Sequence, residues 1–241
     1  MLKPLAAVAV CVSLTFLSAC SQEDPDAARA TDTSETDTDT SGSSTDDESS
    51  SSGKTVECDY PSDGTEAAKE IDPPSASAPA EGTRTVSIAT SAGDITATLD
   101  AGKTPCTVNN FVSLAEQGWF DATECHRLTL ADRGISVLQC GDPTATGMGG
   151  PGYTIADEVT GDETYPAGTL AMAKTMMPDS GGSQFFMVYG DSPLPPDYTV
   201  FGTIDEAGVK VLQGIADIGT DSGAPDGAPK EKVTIESVTL D

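Results

Sequence analysis

Residues Gly168 to Gly190 read GTLAMAKTMMPDSGGSQFFMVYG. Thr169 to Ala173 is an apolar run of strand length and buried character. Lys174 to Gly182 follows as a loop with Pro178, Asp179, Ser180 and two glycines. Gly182 to Tyr189 then reads as a second strand. Successive strand side chains face opposite sides, so Gln184, Phe186 and Val188 share one face and Ser183, Phe185, Met187 and Tyr189 the other. A glutamine beside a phenylalanine, reached through a Gly-rich loop, suits the wall of a shallow apolar groove better than a core.

Working outward, Thr85–Thr90 alternates as a strand, Ser91 to Asp94 is a hairpin turn, and Ile95–Leu99 returns. Thr107–Ala115 is helical, with Val108, Phe111, Val112 and Ala115 on one face, Pro105 before it and Gly118 at its end. Trp119-Phe120 reads as core. Glu124–Thr129 is a strand with Cys125 and Arg127 on one face, and a loop at Ala131–Gly134 leads to another strand from Ile135. The Gly-rich run Gly147–Tyr153 lacks the Lys-Ser/Thr and following helix of a phosphate loop. Thr199–Ile204, a second amphipathic helix over Gly208–Ile215, and a strand over Val233–Leu240 complete the chain. Many antiparallel strands and two separated helices predict a mainly β protein, a closed antiparallel β-barrel capped by two α-helices.

Composition divides the 241 residues into unequal parts. Lys3 and the apolar run Leu5–Leu17 form an export signal, too short to span a bilayer comfortably. It ends Leu17-Ser18-Ala19-Cys20, which resembles the bacterial lipoprotein cleavage box, so residues 1–19 are read as removed and Cys20 as lipidated. Residues 20–55 are a disordered tether: from Ser21 on they are rich in Ser, Thr, Asp, Glu and Ala, with no aromatic, and cannot offset the entropy of ordering. Residues 56–81 read as an extension with a short helix around Glu66–Ile71, tied to the domain by Cys58, and 82–241 as the compact domain. The expected location is extracytoplasmic, with the membrane contacted through the lipid alone and the protein a monomer.

The net charge is −27, and from residue 82 onward 8 Lys and Arg against 22 Asp and Glu leave −14. Such a surface repels phosphate backbones, which argues against a nucleic-acid partner. Beyond Cys11 and Cys20, four cysteines remain in an exported chain, suggesting two disulfides. Three pairings exist. Cys125 and Cys140 flank a hairpin-like excursion, which points to Cys125–Cys140 and, by elimination, Cys58–Cys106. One histidine and no CxxC pair argue against a metal site.

His126-Arg127-Leu128, Leu138-Gln139-Cys140-Gly141-Asp142-Pro143, GTLAMA, GGSQFF and YTVFG follow one another in an order and spacing that resemble a cyclophilin, a peptidyl-prolyl cis–trans isomerase, over Thr83 to Asp241. CTVNNF, CHR and LPPDYTVFG resemble exported actinobacterial members. The resemblance implies proline-containing polypeptides as substrate, no cofactor, and a catalytic Arg127 braced by Gln139. It further implies that the Lys174 backbone holds the residue before proline, that Gln184 completes the hydrogen bonding, and that Val137, Phe186, Leu194 and Tyr198 enclose the proline ring. Ala173 and Thr175 flank Lys174 in the same wall. Where the family has an aromatic at the groove floor, this chain has Ser136; the loop between His126 and Gln139 is longer, and Pro193 stands where a tryptophan would wall the pocket. These departures predict a shallower pocket and weak cyclosporin binding, and raise the alternative of a proline-peptide-binding chaperone module with weak or lost isomerase activity. A Ser183–His126 hydrolase is disfavoured: no nucleophile elbow is present, and His126 reads as a partly buried structural residue.

Overall fold

The computed structural model describes residues 53–241. The signal at 1–19, Cys20 and the tether through residue 52 lie outside the described residues. The extension carries a small ribbon, β1 (Thr55–Glu57) against β2 (Ser77–Pro79), and is bonded to the first helix by Cys58–Cys106. Residues 66–71 are not helical. Their polar groups bond outward instead, Ala68 N–H to the Gly150 carbonyl and Lys69 Nζ to the carbonyls of Gly118, Trp119 and Asp121.

The hairpin is β3 (Thr83–Thr90) with β4 (Gly93–Asp100), paired from Thr83↔Asp100 to Thr90↔Gly93. Val86, Ile88, Ile95, Ala97 and Leu99 point inward, every second residue of each strand. The chain continues through helix α1 (Pro105–Glu116), the two short strands β5 (Thr123–Glu124) and β6 (Arg127–Thr129), and β7 (Ser136–Cys140). β8 (Thr169–Met172), β9 (Phe185–Gly190), β10 (Val200–Ile204), helix α2 (Glu206–Ile218), β11 (Asp226–Gly227) and β12 (Thr234–Leu240) follow. Among the described residues, ten strands form one curled antiparallel sheet in the order β11-β6-β7-β9-β8-β10-β4-β3-β12-β5.

Only Cys125 and His126 separate β5 from β6. One bent stretch therefore pairs with β12 at its start and β7 at its end, and so brings the two ends of the sheet together. Closure is approximate, because two ladders meet at a bend rather than in one continuous strand. The bend also resets the alternation. Cys125 is buried in the core and bonded to Cys140, whereas Arg127 faces the groove, so these two residues do not share a face as one unbroken strand would require.

The core joins the concave side of the sheet to α1. Phe111 stacks on Phe120 at 4.9 Å and meets Phe185 and Phe201 at 5.4 and 5.3 Å. Trp119 is fully buried and donates its indole N–H to the Gly141 carbonyl. Pro105 opens α1, where a missing N–H costs nothing. The N–H groups of Cys106 and Thr107, which have no partner within the helix, donate to the Glu158 carboxylate at 3.0 and 2.8 Å, an anionic cap supplied from a distant loop. Helix α2 is capped by Asp205, which accepts from Gly208 N–H, and buries Leu212 and Ile215.

Candidate active site

β6, β7, β9 and β8 pair in that order, which places Arg127↔Gln139, Gln139↔Phe186 and Ala171↔Phe186 across neighbouring strands. On the face away from the main core, Val137, Tyr165, Ala171, Phe186 and Val188 form a second apolar cluster, with Ala173, Leu194 and Tyr198 packed on it. The aromatic members are mutually fixed. Phe186 meets Tyr198 edge-on at 5.5 Å, and the Tyr165 hydroxyl accepts from Tyr198 N–H and donates to its carbonyl. Above this cluster opens a hollow of 90 Å³ lined by Arg127, Ile135, Val137, Gln139, Ala173, Lys174, Phe186, Leu194 and Tyr198.

Arg127 is fixed from one side. Its Nε and Nη2 each donate to the Asp226 carboxylate at 2.8 Å, and Nη1 reaches Gln139 Oε1 at 3.4 Å. Three of five N–H groups are thereby used, leaving one on each terminal nitrogen directed along the outer edge of the guanidinium. The hydrogen bond to Asp226 raises the Arg127 pKa, so the group stays charged despite partial burial. Reciprocally, the hydrogen bond from Arg127 holds the Asp226 carboxyl below the usual carboxylate range, and Arg133 adds to this at 3.5 Å. The relay continues on the far side: Gln139 Nε2 donates to Gln184 Oε1 at 2.9 Å, and Gln184 Nε2 to the carbonyls of Gly147 and Gly149.

That last loop is ordered by a buried carboxylate. Asp142 accepts from the N–H groups of Thr144, Thr146, Gly147 and Gly149 and from the hydroxyls of Thr144 and Thr146. A Cβ at Gly149 would collide with Asp142 Oδ1, so the close approach requires glycine. Burial acts to raise the Asp142 pKa, but the hydrogen bonds outweigh it and hold the group below its ordinary value. His126 lies against Gly147, and neither ring nitrogen has a partner among the described residues. Burial pushes its pKa down, so the ring is neutral at neutral pH.

The structure brings together Arg127, Gln139, Val137, Ala173, Lys174, Phe186, Leu194 and Tyr198 around the hollow, with Gln184 one hydrogen bond away. Thr175 lies along an adjoining cavity and is bonded to Ser180. Ser136 is a correction. It is buried, its N–H donates to Ser192 Oγ, and it does not line the hollow. Strand alternation places Ser136 on the face opposite Val137 and Gln139, and Ile135, two residues before Val137, supplies the apolar surface instead. The inference of a shallow pocket from Ser136 therefore lapses, and with it the main ground for a decayed activity. The strand expected from Gly182 begins only at Phe185, because Gly182 O is taken by Asn110 Nδ2 and Ser183 Oγ donates to Gly141 O. Asp226 carried no signal in the sequence, lying 99 residues from Arg127 in the two-residue strand β11 that pairs with β6, whereas Ile135 could have been found from its alternation with Val137 and Gln139.

A curled antiparallel sheet with a fixed guanidinium at the lip of an apolar hollow has room for a small apolar group with a polar group beside it. Residues 85–240 match the family of cyclophilin type peptidyl-prolyl cis-trans isomerases. A probable peptidyl-prolyl cis-trans isomerase B of Mycobacterium leprae is 47% identical over 205 residues, covering 79% of this chain and 69% of that protein. One of the same description from Mycobacterium tuberculosis is 45% identical, covering 79% of this chain and 66% of that protein. The crystal structure of a Cryptosporidium parvum cyclophilin type isomerase in the presence of the dipeptide Ala-Pro is 29% identical with a TM-score of 0.58, covering 65% of this chain and 98% of that one. The chain belongs to the cyclophilin-type peptidyl-prolyl cis-trans isomerase family.

Proposed function

We propose that the chain is a lipid-anchored, extracytoplasmic isomerase that rotates X–Pro bonds in exported proteins as they fold. The observation that carries the catalytic part is Arg127, clamped by Asp226 and braced by Gln139 at the edge of an open apolar hollow. Rotation about an amide faces a barrier of roughly 18–20 kcal/mol, because resonance is lost on the way. No bond is made or broken, so the task is to bind the twisted amide more tightly than either planar form. Val137, Ile135, Phe186, Leu194 and Tyr198 hold the proline ring. The two outward N–H groups of Arg127 serve the prolyl carbonyl and the prolyl nitrogen, whose lone pair localises as the bond twists. Gln139 and Gln184 orient the substrate backbone, and the Lys174 main chain holds the residue before proline.

Anchoring rests on Leu17-Ser18-Ala19-Cys20 followed by an acidic tether. More than one acyl chain at Cys20 gives stable membrane attachment. The isomerase acts as a monomer, and it binds cyclosporin weakly because Pro193 replaces a wall tryptophan. Purified protein should accelerate the refolding-coupled isomerisation of a proline peptide, and Arg127→Ala should lower the rate about 100-fold, the order of one preorganised donor. Equal rates for the two proteins would refute the assignment. Cys20→Ala should move the protein from the membrane fraction to the medium, and titration with cyclosporin should give no stoichiometric inhibition.

A further inference from the structure

The proline hollow adjoins a larger cavity of 250 Å³, the two sharing Gln139, Ala173 and Lys174 as lining. An extended peptide advances about 3.3 Å per residue, so a chain with proline in the hollow carries a nearby side chain into the second cavity. One lining residue of that cavity, Asp63, comes from the extension, upstream of the residues that match the family. The extension is laid there by backbone bonds: Asp63 N–H to Gly152 O, Thr154 N–H to Pro61 O and Ala68 N–H to Gly150 O. Cys58–Cys106 ties the same segment to α1.

Two lining residues carry charge, Asp63 and Lys174. Lys174 is neutralised, its Nζ 2.9 Å from the Asp157 carboxylate and its side chain only 9% exposed. Among the described residues Asp63 is not paired with a cation. Its Oδ1 accepts from Thr65 N–H and Oγ1 at 2.7 Å, which fixes the carboxylate, and it is open to solvent. Among the lining residues Met148 is apolar, adaptable and 88% exposed. Tyr153 and Pro151 complete an apolar surface beneath.

Resting on the isomerase reading, we propose that this second cavity selects a long cationic side chain, lysine or arginine, within a few residues of the proline, with Asp63 as the specificity-determining group. The methylene stem lies on Tyr153, Pro151 and Met148, and the charged head meets the Asp63 carboxylate. The acidic surface as a whole draws cationic segments in, but that long-range pull has no positional preference along the peptide.

The test uses the full chain and peptides with a single Ala-Pro bond, carrying Lys, Gln or Glu at each of three positions on either side of the proline. Affinity is read from chemical-shift titration and turnover from exchange spectroscopy. One position should favour Lys over Glu by about three- to fivefold beyond the others, the scale of an exposed ion pair. Asp63→Asn, which keeps the Oδ1 acceptor of the turn, should remove that preference, and Asp63→Lys should invert it towards Glu. A preference spread evenly over all positions, or one unchanged in Asp63→Asn, would overturn the proposal. Absence of turnover on every peptide would instead count against the isomerase reading, while the titrations would still judge the cavity.

Discussion

Asp226→Asn is the most discriminating perturbation of the site. In the native arrangement Asp226 receives two N–H groups of Arg127 at 2.8 Å, a bidentate pair in which both donor and acceptor are charged. An amide retains one acceptor oxygen and turns an NH2 towards the second guanidinium nitrogen, so one bond is lost and two donors face each other. The local cost is on the order of 1.5–3 kcal/mol by the usual worth of a hydrogen bond to a charged group. Part of it is relieved by water, because the Arg127 side chain is 38% exposed. About 1.4 kcal/mol should then survive as loss of orientation, which is tenfold in kcat/KM. Global stability should change little, since an ion pair this accessible contributes modestly to folding. Isomerisation of a proline peptide, followed by exchange spectroscopy or coupled proteolysis, should show the tenfold loss in the single variant. The same substitution added to Arg127→Ala should slow it by less than twofold, because Asp226 acts through Arg127. Full activity in Asp226→Asn, or an equal loss in both backgrounds, would refute the positioning role.

Three further outcomes follow from the packing and the charges. Phe111→Ala removes a fully buried ring at the junction of three other phenylalanines and should cost about 3–5 kcal/mol of stability, read by chemical denaturation with the buried Trp119 as reporter. Replacing both Cys125 and Cys140 by Ala opens a loop closed across 15 residues and should cost about 3 kcal/mol, seen as a lower denaturation midpoint with the slope nearly kept. Asp142 has a native pKa below its unfolded value, so its contribution is complete above the unfolded pKa of about 3.9 and is lost as pH falls through the native one. Asp142→Asn should therefore be less stable at neutral pH by on the order of 3 kcal/mol and should show a flatter stability profile between about pH 5 and 2; an unchanged acid limb would contradict the buried-carboxylate account.

Much of the fold was legible because strands and helices announce themselves over short windows. The alternation of Val86, Ile88, Ile95, Ala97 and Leu99, and the helical spacing of Val108, Phe111 and Ala115, specify which faces turn inward without reference to anything distant. The motifs around Arg127, Gln139 and Gln184 marked the groove because each is a local string on or next to a strand.

What the chain could not reveal locally is set by contacts between remote segments. Ser136 sits opposite Gly190 across a register shift that only the partner strand reveals, although its turning away from the hollow, with Ile135, Val137 and Gln139 on the hollow side, is plain strand alternation. Cys125 and Arg127 part company because two ladders, to β12 and to β7, pull the intervening stretch into a bend. Asp226 meets Arg127, and Asp63 meets the second cavity, only after the sheet has curled and the extension has been laid along its loop. Local pattern determined the elements and their apolar faces; the partners of each charge were decided by tertiary closure, because electrostatic pairing depends on separation in space and the chain encodes only separation along itself.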